Sequence, residues 1–263
     1  MLKKYYQKRM NGIESLTGRS SSHFTVEDFH KLRVELKKIN ALFSLMAFCQ
    51  DNFKRKKIFS PFKKIFDQAG KVRELQLEIA MLKKHKAYFS NNIYINRLIL
   101  KLGAEKKKFF SMLENKKSFS KTGNKIIPVL KKVNKKCVLA YLSGRRNKIE
   151  SILQSKNLKA NRIHELRKRL KVIFYIIKSV DAITPAGSIK QSGSFLVLLG
   201  KWHDHRIAID YLKKIIKTGK LEPVEFKLVE KTKADVSAQL AKLYLKINIQ
   251  RKTVPPLKIF GFK

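Results

Sequence analysis

His30-Lys31-Leu32-Arg33-Val34-Glu35-Leu36-Lys37 and His164-Glu165-Leu166-Arg167-Lys168-Arg169-Leu170-Lys171 are two copies of one string, H-x-L-R-x-x-L-K, set 134 residues apart in a chain of 263. At ~100° per residue, with His30 at the origin, Arg33 falls near ~300° and Lys37 near ~340° of a helical projection. Leu32, Leu36, Ile39 and Phe43 fall near ~180–240°, on the opposite side. The second copy places Leu166, Leu170, Ile173 and Ile177 opposite His164, Arg167 and Lys171 in the same way. Each segment is therefore an amphipathic helix with a basic front and an apolar back.

The rest of the chain reads as helix too. Only 11 Gly and 6 Pro punctuate it, and apolar residues recur three or four apart almost throughout, so the fold class is all-α. The first signature helix should open near Thr25, whose hydroxyl can cap it, with Glu27 and Asp28 in the positive first turn, and should run to Cys49. Ser60-Pro61 punctuates a short helix, Gly70 precedes another over Lys71 to His85, and a long helix covers Asn91 to Leu113. The polar stretch Glu114 to Lys125 reads as the linker between halves. Beyond it come a helix from Ile127 to Leu153, the second signature helix from Lys159 to Val180, and a turn at Thr184-Pro185-Ala186-Gly187. Gly200 breaks the next apolar run, and helices over Lys201 to Lys217 and Pro223 to Asn248 follow. The tail from Arg251 should be irregular and pack through Leu257, Ile259 and Phe260.

A second parallel supports duplication. Gly70-Lys71-Val72-Arg73-Glu74 and Gly200-Lys201-Trp202-His203-Asp204 stand 130 residues apart, nearly the offset of the signatures. Two related helical hairpin units in one compact body, repeats of roughly 1–124 and 125–263 in a single domain, explain both offsets.

Composition narrows the partner. Sixty Lys+Arg against 19 Asp+Glu leave a formal charge of +41, which repels itself unless a polyanion neutralises it. Nucleic acid, inorganic polyphosphate and an anionic membrane surface all satisfy that demand. With 44% hydrophobic residues the chain can bury a core and is no disordered polycation. Met1-Leu2-Lys3-Lys4 leads into Tyr5-Tyr6-Gln7-Lys8 rather than an apolar signal-peptide stretch, and no apolar run is long enough to span a membrane. Cys49 and Cys137 sit in apolar helical patterns without a C-x-x-C unit and are expected as buried free thiols in a reducing, cytoplasmic setting.

The basic fronts suit phosphate. A guanidinium grips two phosphate oxygens, an ammonium adds a point charge, and an imidazole donates one more bond. His30, Arg33 and Lys37, flanked by Lys38, form one ladder. His164, Arg167 and Lys171, flanked by Lys168 and extended by the Tyr175 hydroxyl, form the other. Arg73 and Lys201 extend the basic surface. Such a ladder is by default a solvated helix face, but its repetition in the same order opposite an apolar seam argues for a site. His203 and His205 point ~200° apart on a helix, so they do not share a metal. Asp204 and Glu74 are expected to cap a helix or pair with a basic neighbour, and Trp202 to be core or interface rather than a stacking platform. The chain has no P-loop, H-E-x-x-H, G-x-S-x-G or Cys/His ligand set, and its scattered acids form no carboxylate dyad. No catalytic residue, cofactor or metal ligand is therefore assigned.

These residues resemble the CHAD domain family, the histidine-marked α-helical domain. The likeness rests on His30, Leu32, Arg33, Lys37 and Lys38, on His164, Leu166, Arg167, Lys168, Lys171 and Tyr175, and on Gly70-to-Glu74 and Gly200-to-Asp204 as the family's G-x-x-x-D element. Lys37-Lys38 stands where the family often has two arginines, and Glu74 where Asp is usual. The resemblance covers about residues 20 to 250. It implies two pseudo-symmetric helical bundles around a basic central groove, binding of inorganic polyphosphate without catalysis, and localisation to polyphosphate granules. The alternatives are a nucleic-acid-binding helical protein and an accessory subunit of a phosphate-processing enzyme. Against nucleic acid, neither signature helix sets Asn or Gln beside Arg for base reading, and no aromatic row lines the stripes.

Overall fold

Thr25 caps the first signature helix as its hydroxyl predicts. It accepts from the Asp28 backbone N–H at 3.2 Å, and the Asp28 carboxylate accepts from the Thr25 N–H at 2.9 Å, a reciprocal capping box. Arg19 Nη1 donates to both Asp28 oxygens at 2.9 Å. The computed structural model describes residues 1–89, 92–114, 120–156, 158–180, 182–183, 186–253 and 261–262. Among these it contains nine α-helices: α1 Leu2–Thr17, α2 Val26–Cys49, α3 Arg55–Lys84, α4 Ile93–Glu114, α5 Ser120–Lys131, α6 Lys135–Leu153, α7 Ala160–Ser179, α8 Ala186–Thr218 and α9 Pro223–Gln250. The only strands among them are Ala182–Ile183 and Gly261–Phe262, paired antiparallel. The fold is all-α.

The apolar backs of the two signature helices lie in the same core. Leu32, Leu36, Ile39 and Phe43 of α2 and Leu166, Leu170, Ile173 and Ile177 of α7 are all buried, each contributing about 1.5–3 kcal/mol by leaving water. A second apolar cluster joins Leu75 and Leu82 of α3 and Ile95 and Leu98 of α4 to Leu212 and Ile215 of α8 and Val229 and Val236 of α9. Each cluster draws on both halves of the sequence. Consecutive helices pack as neighbours in α1–α2, α2–α3, α3–α4, α6–α7, α7–α8 and α8–α9, and α2 also lies directly on α7.

Several expected boundaries are corrected. Pro61 does not end a helix, and Gly70 does not precede one: both lie inside α3. Pro61 removes one backbone donor, yet Phe59, Phe62 and Ile65 around it are buried, and that burial carries the helix through. Gly200 likewise lies within α8, which runs unbroken from Ala186 to Thr218. The helix expected over Ile127 to Leu153 is two, α5 and α6, with Asn134 capping α6 through its side chain on the Cys137 N–H. Of the expected linker, residues 120–125 begin α5 and 115–119 lie outside the described residues. Ala186 and Gly187 open α8 rather than a turn, while Thr184, Pro185, Leu257, Ile259 and Phe260 lie outside the described residues. Helix α1 was not anticipated, although Tyr6, Met10, Ile13 and Leu16, which it buries, follow the helical period.

Cys49 and Cys137 are not free thiols. They form a disulfide with Cα atoms 5.7 Å apart, tying the end of α2 to the start of α6 across 88 residues of sequence. Both are half-buried. Phe48 packs edge-on against Tyr141 beside the bridge, ring centroids 5.4 Å apart. The reducing setting inferred from free thiols loses its support. No helix among the described residues is long and apolar enough to cross a membrane.

Candidate functional site

Because α2 packs on α7, charges of the two signature helices come within electrostatic reach of one another. Lys37 of α2 feels the charges of Arg33 on its own helix and of Lys171 and Arg167 on α7. Protein crowded around its ammonium, reinforced by these three cations, pushes its pKa down to about 8. Yet Lys37 is solvent-exposed. His30 is held below the ordinary imidazole range by surrounding protein and by Arg73, Lys37 and Lys171, with Glu27 pulling the other way. Arg33, Arg73, Lys37, Arg167 and Lys171 thus form one cluster drawn from α2, α3 and α7.

The two G-x-x-x-[D/E] elements place α3 and α8 beside the signature arginines. Arg33 Nη1 donates to the Phe66 carbonyl at 2.5 Å, and its guanidinium lies over the Phe66 ring at 4.2 Å. Gly70 makes that approach possible, since a Cβ there would stand 2.4 Å from Nη1. Gly200 faces Arg167, but a Cβ there would stand 4.0 Å from Nε, an ordinary contact. The Nε atoms of Arg167 and Arg73 are buried without a hydrogen-bond partner among the described residues. Glu74 and Asp204 cap nothing, since both lie inside their helices. They couple instead to Arg33 and to Arg167 with Lys171, respectively. Burial raises the Asp204 carboxyl above its ordinary range against the pull of those two cations.

From this cluster a cleft of about 700 Å³ opens between α1, α2, α7 and α8. Lys38, Lys171 and Tyr175 line it, together with Lys8 and Arg9 of α1 and Lys178 of α7. Lys171 belongs to both the cluster and the cleft. Lys38 is not a free cation: it bonds Glu35 at 2.7 Å, and Glu35 also pairs with Arg9 at 3.0 Å. Burial raises the Tyr175 phenol, with Arg167 opposing.

His164 reaches α8, and Lys168 and Arg167 act on it from its own helix. The His164 ring meets the His203 ring at a centroid distance of 4.8 Å. Of the predicted site residues, Lys38, Lys171 and Tyr175 line the cleft, His164 makes the ring contact with α8, His30 is coupled to the surrounding cations, and Lys168 is coupled to His164. Sequence reading missed Lys8, Arg9, Lys178 and Arg206, and it weighed His203 only as a metal ligand. The period of Tyr6, Met10, Ile13 and Leu16 could have exposed the first two, and the position of His203 inside the second glycine element could have exposed it. Trp202 is core, 3% exposed. His205 turns from the site, bonding Gln239 at 2.9 Å. Among the described residues no three His, Cys, Asp or Glu side chains converge as metal ligands.

By sequence, no family model and no curated protein matches the chain. By structure, the crystal structure of the CHAD domain from the plant Ricinus communis superposes with a TM-score of 0.64 at 12% identity, over 98% of this chain and 90% of that one. The chain has the CHAD-domain fold. PptA from Streptomyces chartreusis matches at a TM-score of 0.64 and 11% identity, over 95% of this chain and 98% of that one. Near-complete coverage in both directions means that the CHAD fold accounts for α1 and α9 as well as the signature helices.

Proposed function

We propose that this chain binds inorganic polyphosphate as a non-enzymatic module, and that it serves to place itself or a partner on polyphosphate granules. What supports the reading is the packing of α2 on α7, which brings Lys37 of one signature within electrostatic reach of Arg167 and Lys171 of the other. Close-set cations repel one another, and a linear anion with a charge on every unit relieves that repulsion along its length. Arg33, Lys37, Arg73, Arg167 and Lys171 would hold the centre of the polymer, His30, His164 and Lys168 one side, and Lys38 and Tyr175 the cleft. The same reading treats the chain as a duplicated domain, with repeats of 1–124 and 125–263 facing one basic groove.

Titration with long-chain polyphosphate, double-stranded DNA and RNA at matched ionic strength tests it. Polyphosphate should bind more tightly than either nucleic acid. Equal or weaker binding of polyphosphate would favour the nucleic-acid reading, which the charge of +41 supports through counterion release. Shortening of polyphosphate by the purified protein with Mg²⁺ would overturn the non-enzymatic assignment.

A further inference from the structure

His164 on α7 and His203 on α8 are the one pair of imidazoles in ring contact among the described residues, tilted at 45°. Both are half-buried. Arg206, one turn after His203, lies over the buried Trp202 ring at 5.7 Å, which holds its guanidinium beside the pair. The groups around them are Arg167, Lys168 and Lys171 from α7, and Arg206 with Asp204 from α8. Asp204 couples to Arg167 and Lys171. On the neighbouring elements, His30 and Lys37 of α2 couple to Lys171, Arg73 and Glu74 of α3 couple to Arg33, and Gln239 of α9 is occupied by His205.

We propose that His164, His203 and Arg206 form a proton-coupled phosphate subsite at the α7–α8 junction, where a bound polyphosphate draws protons onto the imidazoles; the proposal rests on the polyphosphate reading above. Two imidazolium rings in contact among four cations repel each other, so the free protein favours the neutral rings. A phosphate bound against the rings beside Arg167 and Arg206 reverses the local charge. Each imidazole then donates an N–H to a phosphate oxygen, and protonation makes that bond charge-assisted. The free-state values agree in direction. Surrounding protein, then Arg167, His164, Lys171 and Arg206, lower His203 to about 4, and surrounding protein with Lys168, Arg167 and Arg206 lowers His164. Binding raises both, so the complex holds more protons than the free protein, and affinity rises as pH falls from ~6.5 toward the free-state value.

Calorimetric titration with long-chain polyphosphate at pH 6, in two buffers of different ionisation enthalpy and fixed ionic strength, counts the protons taken up. Dissociation constants at pH 5, 6 and 7.5 should tighten by about tenfold per pH unit for each proton bound. His203→Gln should remove most of the uptake, while His205→Gln, whose imidazole faces α9, should retain it. The His30→Gln variant separates the share of the imidazole on α2. Binding without proton uptake by the wild-type protein overturns the proposal with no variant required. Unchanged uptake in folded His203→Gln overturns it too, with polyphosphate binding itself left standing. Absence of polyphosphate binding at every pH sinks the underlying reading instead.

Discussion

The α2–α3 and α7–α8 junctions set the same arginine against the same glycine and use it differently. Arg33 is committed: it donates to the Phe66 carbonyl and lies on the Phe66 ring, in a space that only the bare Cα of Gly70 leaves open. Arg167 keeps its Nε without a partner among the described residues, and Gly200 stands back from it. The two helices also begin differently. Helix α2 has its capping box and the Arg19–Asp28 pair, whereas α7 starts at Lys159 with no side-chain cap. In the first copy the arginine therefore also pins α2 to α3, whereas in the second its buried Nε makes no such bond among the described residues.

Charge reversal breaks this contrast most directly. Arg33→Glu with Arg167→Glu should abolish polyphosphate binding. Of the single variants, Arg167→Glu should weaken binding by at least about thirtyfold, the effect of losing about 2 kcal/mol or more of buried charge pairing, with its urea midpoint unchanged. Arg33→Ala should lower stability by about 1.5–3 kcal/mol, the worth of a charged hydrogen bond. Equal losses of affinity and stability in the two single variants would erase the distinction.

The disulfide ties the pinned helix to the element that packs under the other one. Reduction should cost about 2–4 kcal/mol of unfolding free energy, because the bridge closes a long loop in the unfolded chain. Urea unfolding with and without reductant measures it, and Cys49→Ser should match the reduced wild type. No change on reduction would mean that α2 and α6 are held by packing alone.

The caps offer a smaller contrast with a pH signature. Burial would raise the Asp28 carboxyl, but hydrogen bonds from Thr25 and the Arg19 guanidinium outweigh it and hold the pKa below its ordinary value. A group depressed on folding stabilises fully above its unfolded pKa and loses that contribution as pH falls through the folded one. Stability should therefore decline below pH ~4. Asp28→Asn should remove that step and cost about 1–2 kcal/mol at pH 7, measured by thermal melts from pH 2 to 7.

The glycines give the smallest effect. Gly200→Ala should raise stability by about 0.5–1 kcal/mol, the ordinary gain inside a helix. Gly70→Ala should give no such gain, since the methyl group would push the Arg33 guanidinium off Phe66. Equal gains at both positions would show that Arg33 is no pin.

How far these features could be read in advance follows the range of the interactions behind them. Thr25, Asp28 and the apolar back of α2 lie within a few turns of one another, and their meaning is local, so the limits of α2 agree with the expectation almost to the residue. Pro61, Gly70 and Gly200 misled because their local preference opposes helix, and burial of distant partners overruled it. Cys49 and Cys137 misled for a different reason, since their pairing is long-range. Nothing near either in sequence says that the end of one helix meets the start of another 88 residues on.

Chain periodicity settled the all-α class, the amphipathic signature helices and the residues on their basic fronts, because a helix converts spacing into direction with no reference to the rest of the molecule. Packing of α2 on α7 settled what periodicity leaves open. It brought Lys37 within electrostatic reach of Arg167 and Lys171, while α2–α3 packing set Arg33 on Phe66 and α7–α8 packing set His164 on His203. Those outcomes depend on which distant surfaces exclude water together, and that choice belongs to the folded chain as a whole.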